Sequence, residues 1–111
     1  MAKYIISRAV NTGNLLFLSG MTGKGADTTT QTRSIFEKIK KTLEDGGSSM
    51  ENVINATVYL TDINDRPKYF NPLWSEYFPE KPPTRTCVQV GLSPPTTVEV
   101  TVVALTPEKR L

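Results

Sequence analysis

The residues best suited to chemistry lie in two runs rich in β-branched residues, 84–90 and 97–105. A loop of Gly, Ser and Pro separates the runs, which predicts two adjacent antiparallel strands. Side chains alternate between the two faces of a strand. Arg85 and Cys87 therefore share one face of the first run, and Glu99 lies on one face of the second. We expect one apolar sheet face and one mixed face that carries a guanidinium, a thiol and a carboxylate.

Arg85 is a candidate anion-binding residue. Its guanidinium is a planar fork of donors that matches a carboxylate through two parallel hydrogen bonds. The alternatives are an exposed surface position or a salt bridge, either within the chain or between subunits. The residue pattern alone leaves these alternatives open.

Glu99 is a candidate for proton transfer. It stands between Val98 and Val100, and partial burial would raise its proton affinity. A carboxyl group in such a position can exchange a proton with a bound water. The alternative is that Glu99 is simply the ionic partner of Arg85 or of a lysine.

The predicted hairpin also sets the separation of the two candidates. With Val90 opposite Val98, Arg85 and Glu99 lie about four residues apart along the sheet, on the order of 13 Å. That distance is long for a direct ion pair or for one small ligand in one chain. It is acceptable if the ligand lies at a subunit boundary and the two residues come from different chains. A bulge in the loop 91–97 would change this register.

Cys87 and the pair Ser19 and Gly20 are secondary candidates. The chain has no histidine to activate a thiolate, so Cys87 is expected to be a small packing residue whose backbone N–H faces a ligand. Ser19 and Gly20 follow a short apolar run and can present a hydroxyl and backbone N–H groups. The spacing of Gly20, Gly23 and Gly25 does not fit a dinucleotide or phosphate loop.

Composition excludes several classes of function. The 111 residues predict a single domain, 1–111, and the low net charge of +2 argues against a nucleic-acid-binding surface. With no histidine and one cysteine, we expect no metal and no haem. The first residues lack an apolar stretch, so we expect no signal peptide, and the longest apolar run is too short to predict a membrane span. A single cysteine fits a reducing compartment, so we expect a cytoplasmic location.

The periodicity of apolar residues predicts an α+β domain in which two helices cover one face of a mostly antiparallel sheet. The predicted elements are a strand at 3–8, a strand at 15–18, a helix from Asp27 or Thr28 to Asp45, a strand at 53–61, a helix at 67–78 and the two strands described above.

Two helices can cover only one sheet face, yet the second face also carries apolar residues. The run Leu15–Leu18 is apolar on both faces, and Val103 and Leu105 point opposite to Val102 and Ala104. We therefore expect identical chains to cover the second face in a closed ring or barrel-like core.

Several segments resemble the RidA (YjgF-type) family of reactive-intermediate deaminases. Residues 82–90, PPTRTCVQV, are similar to its P-x-R-[ST]-[CT]-V-x-V signature, and 98–104, VEVTVVA, to its V-E-I-E-A-I-A strand. Residues 13–20, 57–63 and 70–78 are similar to further patterns of the family in the same order. The resemblance covers nearly the whole chain, and the arginine segment is its specific part.

The resemblance implies a chorismate-mutase-like homotrimer with three clefts between subunits. It implies hydrolysis of enamines or imines, such as 2-aminoacrylate, to a 2-oxo acid and ammonia, without metal or organic cofactor. Arg85 would bind the substrate carboxylate, and Glu99 would hold the attacking water. The residues implied to line the cleft are Ser19, Gly20, Asn71 and Cys87, the last through its backbone.

The chain also departs from the family pattern. Ile6 stands where the family has a cleft tyrosine, Thr101 replaces the second acid of V-E-I-E, and the loop between Arg85 and Glu99 is shorter than usual. Arg8 would add a second cation near the site. Two alternatives follow: a related enzyme that acts on a different imine in a specialised pathway, and a non-catalytic trimer that binds a small ligand.

Overall fold

The structure, a computed structural model, describes residues 5–107. Within this range it contains a five-stranded sheet and two α-helices, of which the second follows a short π-helical turn. The strands are β1 (Ala9–Asn11), β2 (Leu15–Leu18), β3 (Val53–Leu60), β4 (Thr84–Gln89) and β5 (Val98–Leu105). The α-helices are α1 (Thr28–Asp45) and α2 (Asn71–Tyr77), the π-helical turn is Arg66–Phe70, and a 3-10 turn spans Met50–Asn52. Neither α-helix is long and apolar enough to cross a membrane.

The sheet has the order β1-β2-β5-β3-β4, and all neighbours are antiparallel except the parallel pair β3 and β4. The α+β class and the mainly antiparallel sheet are therefore confirmed. The prediction of a hairpin between β4 and β5 is wrong, because β3 lies between them. The strands β3 and β5 bury alternate residues deeply, whereas β4 has no fully buried residue and takes the edge.

The predicted first strand is also wrong in its position. Lys3 and Tyr4 lie outside the described residues, and residues 5–8 are not part of a strand. The strand begins instead at Ala9, opposite Leu18, and ends at Asn11, opposite Leu16. The turn after Asn11 joins β1 to β2, and β2 has only four residues, so only residues 9–11 of the preceding segment pair with it.

Helix α1 packs against the sheet through one apolar stripe. Ile35, Phe36, Ile39 and Leu43 are fully buried. Asp27 caps the helix: its carboxylate accepts from the Thr30 backbone N–H and side chain at 2.9 and 2.8 Å. Burial of the stripe fixes α1 over one face of the sheet.

The second helical segment differs from the continuous helix predicted at 67–78. It starts as a π-helical turn, in which the Asn71 N–H donates to the Arg66 carbonyl, and becomes α-helical only from Asn71. In a regular α-helix Pro72 would lack the N–H for the Lys68 carbonyl and its ring would clash with that carbonyl, which favours the wider turn before it. Its aromatic residues pack on Phe36 of α1, with ring centroids 5.8 Å apart for Phe70.

The face of the sheet opposite the helices is not covered by any other part of residues 5–107. Val10, Phe17, Val88 and Leu105 are 52, 44, 38 and 43% exposed. Val10 lies opposite Phe17, which in turn lies opposite Val103, so three strands contribute to one continuous apolar surface. A chain on its own thus presents an apolar sheet face to water, which is unfavourable.

Candidate active site

Arg85 lies on the edge strand β4, on the sheet face that the helices cover. It is opposite Ala56, whose side chain is fully buried on that face. Its Nη1 donates to Asn71 Oδ1 at 2.8 Å, and its Cζ lies 4.8 Å from the ring centroid of Trp74 and 5.8 Å from that of Phe70. The side chain is half-buried and is held by neutral groups.

The structure gives Arg85 no ionic partner among residues 5–107. The ion pairs in this range join Arg33 to Glu76 and Lys41 to Asp45. Within the described part of the chain, no acid neutralises Arg85. A half-buried cation without a counter-ion is a favourable place for an anionic ligand.

Cys87 lies two residues beyond Arg85 on the same face. Burial raises the pKa of its thiol, while the charges of Arg85 and Arg66 act in the opposite direction and are outweighed. The thiol is thus protonated at neutral pH, which argues against a nucleophilic thiolate. Gln89, further along the same face, accepts a hydrogen bond from the Ile63 N–H at 2.9 Å and stabilises the loop there.

Glu99 lies on the opposite face of the sheet from Arg85. It is opposite Tyr59 on β3, whereas Arg85 shares its face with the buried Ala56 and Val58. The predicted single mixed face is therefore wrong. The alternation within each run is correct. However, β3 lies between the two strands, and its pairing puts Arg85 on the face of Ala56 and Glu99 on the face of Tyr59, which is the opposite one.

The carboxylate of Glu99 rests against Gly20. A Cβ atom at Gly20 would lie 2.5 Å from Glu99 Oε2 and 3.3 Å from Thr101 Oγ1. The absence of a side chain at Gly20 leaves the space that the carboxylate occupies. Gly20 therefore sets the position of Glu99 through its size, a role that its place in the sequence does not reveal.

A bulge brings Gly20 to this position. Phe17 is opposite Val103 and Met21 is opposite Val100, so the chain advances from 17 to 21 on one side and only from 103 to 100 on the other. The extra residue lies in the Ser19 and Gly20 segment, and such bulges redirect side chains near functional sites. Backbone hydrogen bonds of 2.8 and 3.0 Å between Met21 and Val100 close the bulge.

Ser19 is held by the segment that precedes β1. Its hydroxyl donates to the Ser7 carbonyl at 2.6 Å, and its N–H donates to the Arg8 carbonyl at 3.0 Å. Because a hydroxyl has a single proton, Ser19 Oγ can only accept a hydrogen bond from a ligand. Arg8 itself donates to Thr42 Oγ1 on α1 at 3.0 Å, so its guanidinium is directed to the helix side and away from Glu99.

One chain thus contains two separate groups of the predicted site residues. Asn71, Arg85 and Cys87 lie together at the helix-covered edge of the sheet, and Ser19, Gly20 and Glu99 lie together on the other face. Sequence reasoning missed Phe70 and Trp74, because their apolar helical spacing is typical of a core. The spacing of three residues between Asn71 and Trp74 could have indicated that Trp74 lies near the site, since residues so spaced share one side of a helix.

The sequence is similar to those of known proteins. The family model described as "Endoribonuclease L-PSP" matches residues 1–106. A RutC family protein of Pyrococcus horikoshii is 42% identical over 96 residues, 79% of this chain and 75% of that protein. A protein of Acinetobacter baylyi named 3-aminoacrylate deaminase RutC is 35% identical over 113 aligned positions, 94% of this chain and 87% of that protein.

Solved structures are similar as well. A member of the YjgF protein family from Neisseria meningitidis has a TM-score of 0.88 and 31% identity, covering 94% of this chain and 89% of that one. A member of the YjgF/YER057c/UK114 family from Mycobacterium tuberculosis has a TM-score of 0.85 and 31% identity, covering 90% and 86% of the two chains. These likenesses confirm the resemblance inferred from the motifs.

The surroundings of Cys87 lead to a prediction about its pKa. Burial raises that pKa above the ordinary value of 9.0, so alkylation by iodoacetamide should be slow at pH 7 and should reach its half-maximal rate above pH 9.0. The positive charge of Arg85 lowers the pKa, so Arg85→Met should move the midpoint to still higher pH. Rates of alkylation measured as a function of pH test both statements.

Arg66→Met is the matched control, because Arg66 also lowers the pKa of Cys87 but contributes less than Arg85. It should move the midpoint in the same direction by a smaller amount. A midpoint below pH 9.0 in the wild type, or one that Arg85→Met leaves in place, would contradict the described surroundings of the thiol.

Proposed function

Because the chain belongs to the Endoribonuclease L-PSP family, which includes the RutC and YjgF proteins, we propose that it is an enamine and imine deaminase. It hydrolyses small carboxylate-bearing intermediates of the 2-aminoacrylate type to 2-oxo acids and ammonia. The observation that carries the proposal is the half-buried guanidinium of Arg85, which is held by Asn71 and two aromatic rings and has no ionic partner among residues 5–107. A relative named 3-aminoacrylate deaminase supports the reaction class.

In this proposal Arg85 binds the substrate carboxylate, and Glu99 holds and deprotonates the attacking water. The enamine first takes a proton on carbon and loses one from nitrogen, which gives an imine. Glu99 accepts a proton from the water as the water oxygen attacks the imine carbon, and it passes this proton to the nitrogen, which gives a carbinolamine. The hydroxyl proton of the carbinolamine then moves to the nitrogen, ammonia leaves, and the carbonyl of the 2-oxo acid forms. Water is the only co-reactant, so the reaction balances without metal or organic cofactor.

The two residues must come from different chains to act on one small molecule. Arg85 and Glu99 project from opposite faces of the sheet, so one chain does not offer both to the same ligand. The apolar face around Phe17 and Leu105 gives identical chains a surface to bury against one another. We therefore propose a homotrimer in which the Arg85 of one chain meets the Glu99 of its neighbour, together with Ser19 and Gly20.

A different imine substrate is the second candidate function. Ile6 occupies the position of the family's cleft tyrosine and is 67% exposed, so it offers an apolar side chain and no hydroxyl. This change favours a substrate with a larger apolar group. The family description also names an endoribonuclease, but a net charge of +2 gives little attraction for phosphates.

The first test supplies 2-aminoacrylate from a coupled enzyme and follows ammonia and pyruvate with time. The wild type should accelerate their formation over the spontaneous reaction. Arg85→Ala should reduce kcat/KM by about a hundredfold or more, because it removes a charge-assisted contact in a partly desolvated site. Glu99→Gln should reduce kcat while pyruvate still binds.

Lys40→Ala, an exposed charge on α1, is the control for a general loss of positive charge and should behave as the wild type. No acceleration by the wild type, or full activity in Arg85→Ala, counts against the deaminase. Binding of 2-oxo acids without turnover of any imine in a substrate panel would favour the non-catalytic alternative. Turnover of larger imines only would favour the second candidate.

Mixed oligomers test whether the site is shared between chains. Inactive Arg85→Ala and Glu99→Gln chains are mixed in equal amounts, unfolded and refolded together. A shared site is intact when a Glu99→Gln chain supplies Arg85 and its neighbour supplies Glu99, so random mixing should restore roughly one quarter of wild-type activity. Each variant refolded alone should stay inactive, and light scattering should give the mass of three chains.

Two outcomes contradict a shared site. The first is no recovery of activity in a mixture whose wild-type control refolds fully. The second is a wild type that remains a monomer at micromolar concentration while it turns over substrate.

Gly20→Ala tests whether the position of Glu99 matters for turnover. The added methyl group would lie 2.5 Å from Glu99 Oε2 and should displace the flexible carboxylate without disturbing the backbone. We expect kcat to fall by about ten- to a hundredfold, the effect of a small misplacement of a catalytic group. The dissociation constant for pyruvate should change little, because Arg85 dominates that binding.

Gly91→Ala is the matched control, since a Cβ there meets no atom within 4 Å and Gly91 also lacks a positive φ. It should retain wild-type kcat and the wild-type melting temperature. If Gly20→Ala turns over as fast as Gly91→Ala, the placement of Glu99 against Gly20 is irrelevant to the reaction.

A further inference from the structure

Trp74 is the single tryptophan of the chain and is closely packed. It is only 9% exposed and packs against Phe36, Phe70 and Phe78, with ring centroids 6.3, 6.0 and 4.6 Å away. On its remaining side the ring lies 4.8 Å from Arg85 Cζ, within the range of a cation–π interaction. The packing therefore fixes the indole beside the guanidinium.

The type of contact matters for a ligand-binding arginine. A carboxylate partner would hold the guanidinium but would also neutralise it and occupy its N–H donors. An aromatic face attracts the cation through its quadrupole and uses none of the in-plane donors. Trp74 and Phe70 thus restrain Arg85 while its charge stays available.

Asn71 adds a directional restraint. Its Oδ1 is a neutral acceptor and takes a hydrogen bond from Nη1 of Arg85 at 2.8 Å. Nη1 is on the Cδ side of the guanidinium, so the edge formed by Nε and Nη2 remains. That edge carries two parallel N–H groups with the spacing of the two oxygens of a carboxylate.

The π-helical turn gives Asn71 and Trp74 their common orientation. The Asn71 N–H reaches back to the Arg66 carbonyl, and the regular helix then carries Trp74 three residues further on the same side. Wide turns of this kind are frequent at functional sites.

We propose that Trp74 and Asn71 are positioning residues that fix the guanidinium of Arg85 so that its Nε–Nη2 edge binds the substrate carboxylate. This inference rests on the proposed role of Arg85 as the carboxylate-binding residue. It adds the residues that orient Arg85 and the edge that it offers. It also makes Trp74 a built-in fluorescent reporter of the site.

The experiment compares three substitutions by titrating pyruvate and measuring its dissociation constant calorimetrically. Trp74→Leu keeps apolar volume but removes the aromatic face, and should weaken pyruvate binding by about three- to thirtyfold, the range of a partly desolvated cation–π contact. Trp74→Phe keeps an aromatic face and should rescue most of the affinity. Asn71→Ala should weaken binding as well, because the guanidinium loses its in-plane restraint.

Phe78→Leu is the matched control for packing. Phe78 belongs to the same aromatic cluster, but the structure gives it no contact with the Arg85 guanidinium. It should lower the melting temperature about as much as Trp74→Leu and leave the dissociation constant for pyruvate unchanged. If both variants weaken binding equally, or neither does, Trp74 has only a structural role and the inference is wrong.

A second readout needs no ligand. Arg85→Met removes the cation beside the indole and should change the emission of Trp74 in the free protein, whereas pyruvate should change the emission of the wild type and not of Arg85→Met. Pyruvate binding without deamination would end the proposed function and leave the positioning role intact. Unchanged emission in Arg85→Met, or normal deamination and normal pyruvate affinity in Trp74→Leu, would end the positioning role alone.

Discussion

The structure depends on holding a positive charge half out of water without neutralising it. Desolvating a cation is costly, and proteins usually compensate with a carboxylate. Here the compensation for Arg85 comes from the oxygen of Asn71 and the faces of Trp74 and Phe70. All three lie between Phe70 and Trp74, where the π-helical turn leads into α2, so one short stretch of the chain provides these contacts. The part of the desolvation cost of Arg85 that these groups leave uncompensated can be offset by an anionic ligand.

Sheet topology brings that element to the right place. The segment between β3 and β4 returns the chain in the same direction, so β4 is parallel to β3 and lies at the edge beside α2. The same order puts β3 between β4 and β5 and sends Arg85 and Glu99 to opposite faces. An edge strand is accessible to another chain. This topology separates Arg85 and Glu99 within one chain. It also leaves an apolar sheet face exposed, through which copies of the chain can associate and bring the two residues together.

The sequence predicted the parts of this structure that depend on local periodicity. Helix α1 was predicted correctly from spacing and composition, with its start at Asp27 or Thr28, and the structure shows that Asp27 is the cap. The hairpin was wrong because two β-branched runs around a Gly and Pro loop look the same whether the loop joins neighbours or crosses a third strand. Alternation is defined within one strand, so it could not say that Arg85 and Glu99 face different sides. The bulge at Ser19 and Gly20 depends on register, which no local pattern gives.

The two groups of site residues are chemically complementary, although one chain holds them on opposite faces of its sheet. The group around Arg85 offers donors and positive charge. In the group around Gly20, the Ser19 hydroxyl already donates its proton to the Ser7 carbonyl, and Glu99 is a carboxylate. The side-chain oxygens of these two residues can therefore only accept hydrogen bonds from a ligand. The sheet separates the two groups within one chain. In the proposed trimer they would meet across a subunit boundary, with a small carboxylate and its water between them. Assembly, rather than folding of the single chain, would then complete the catalytic site.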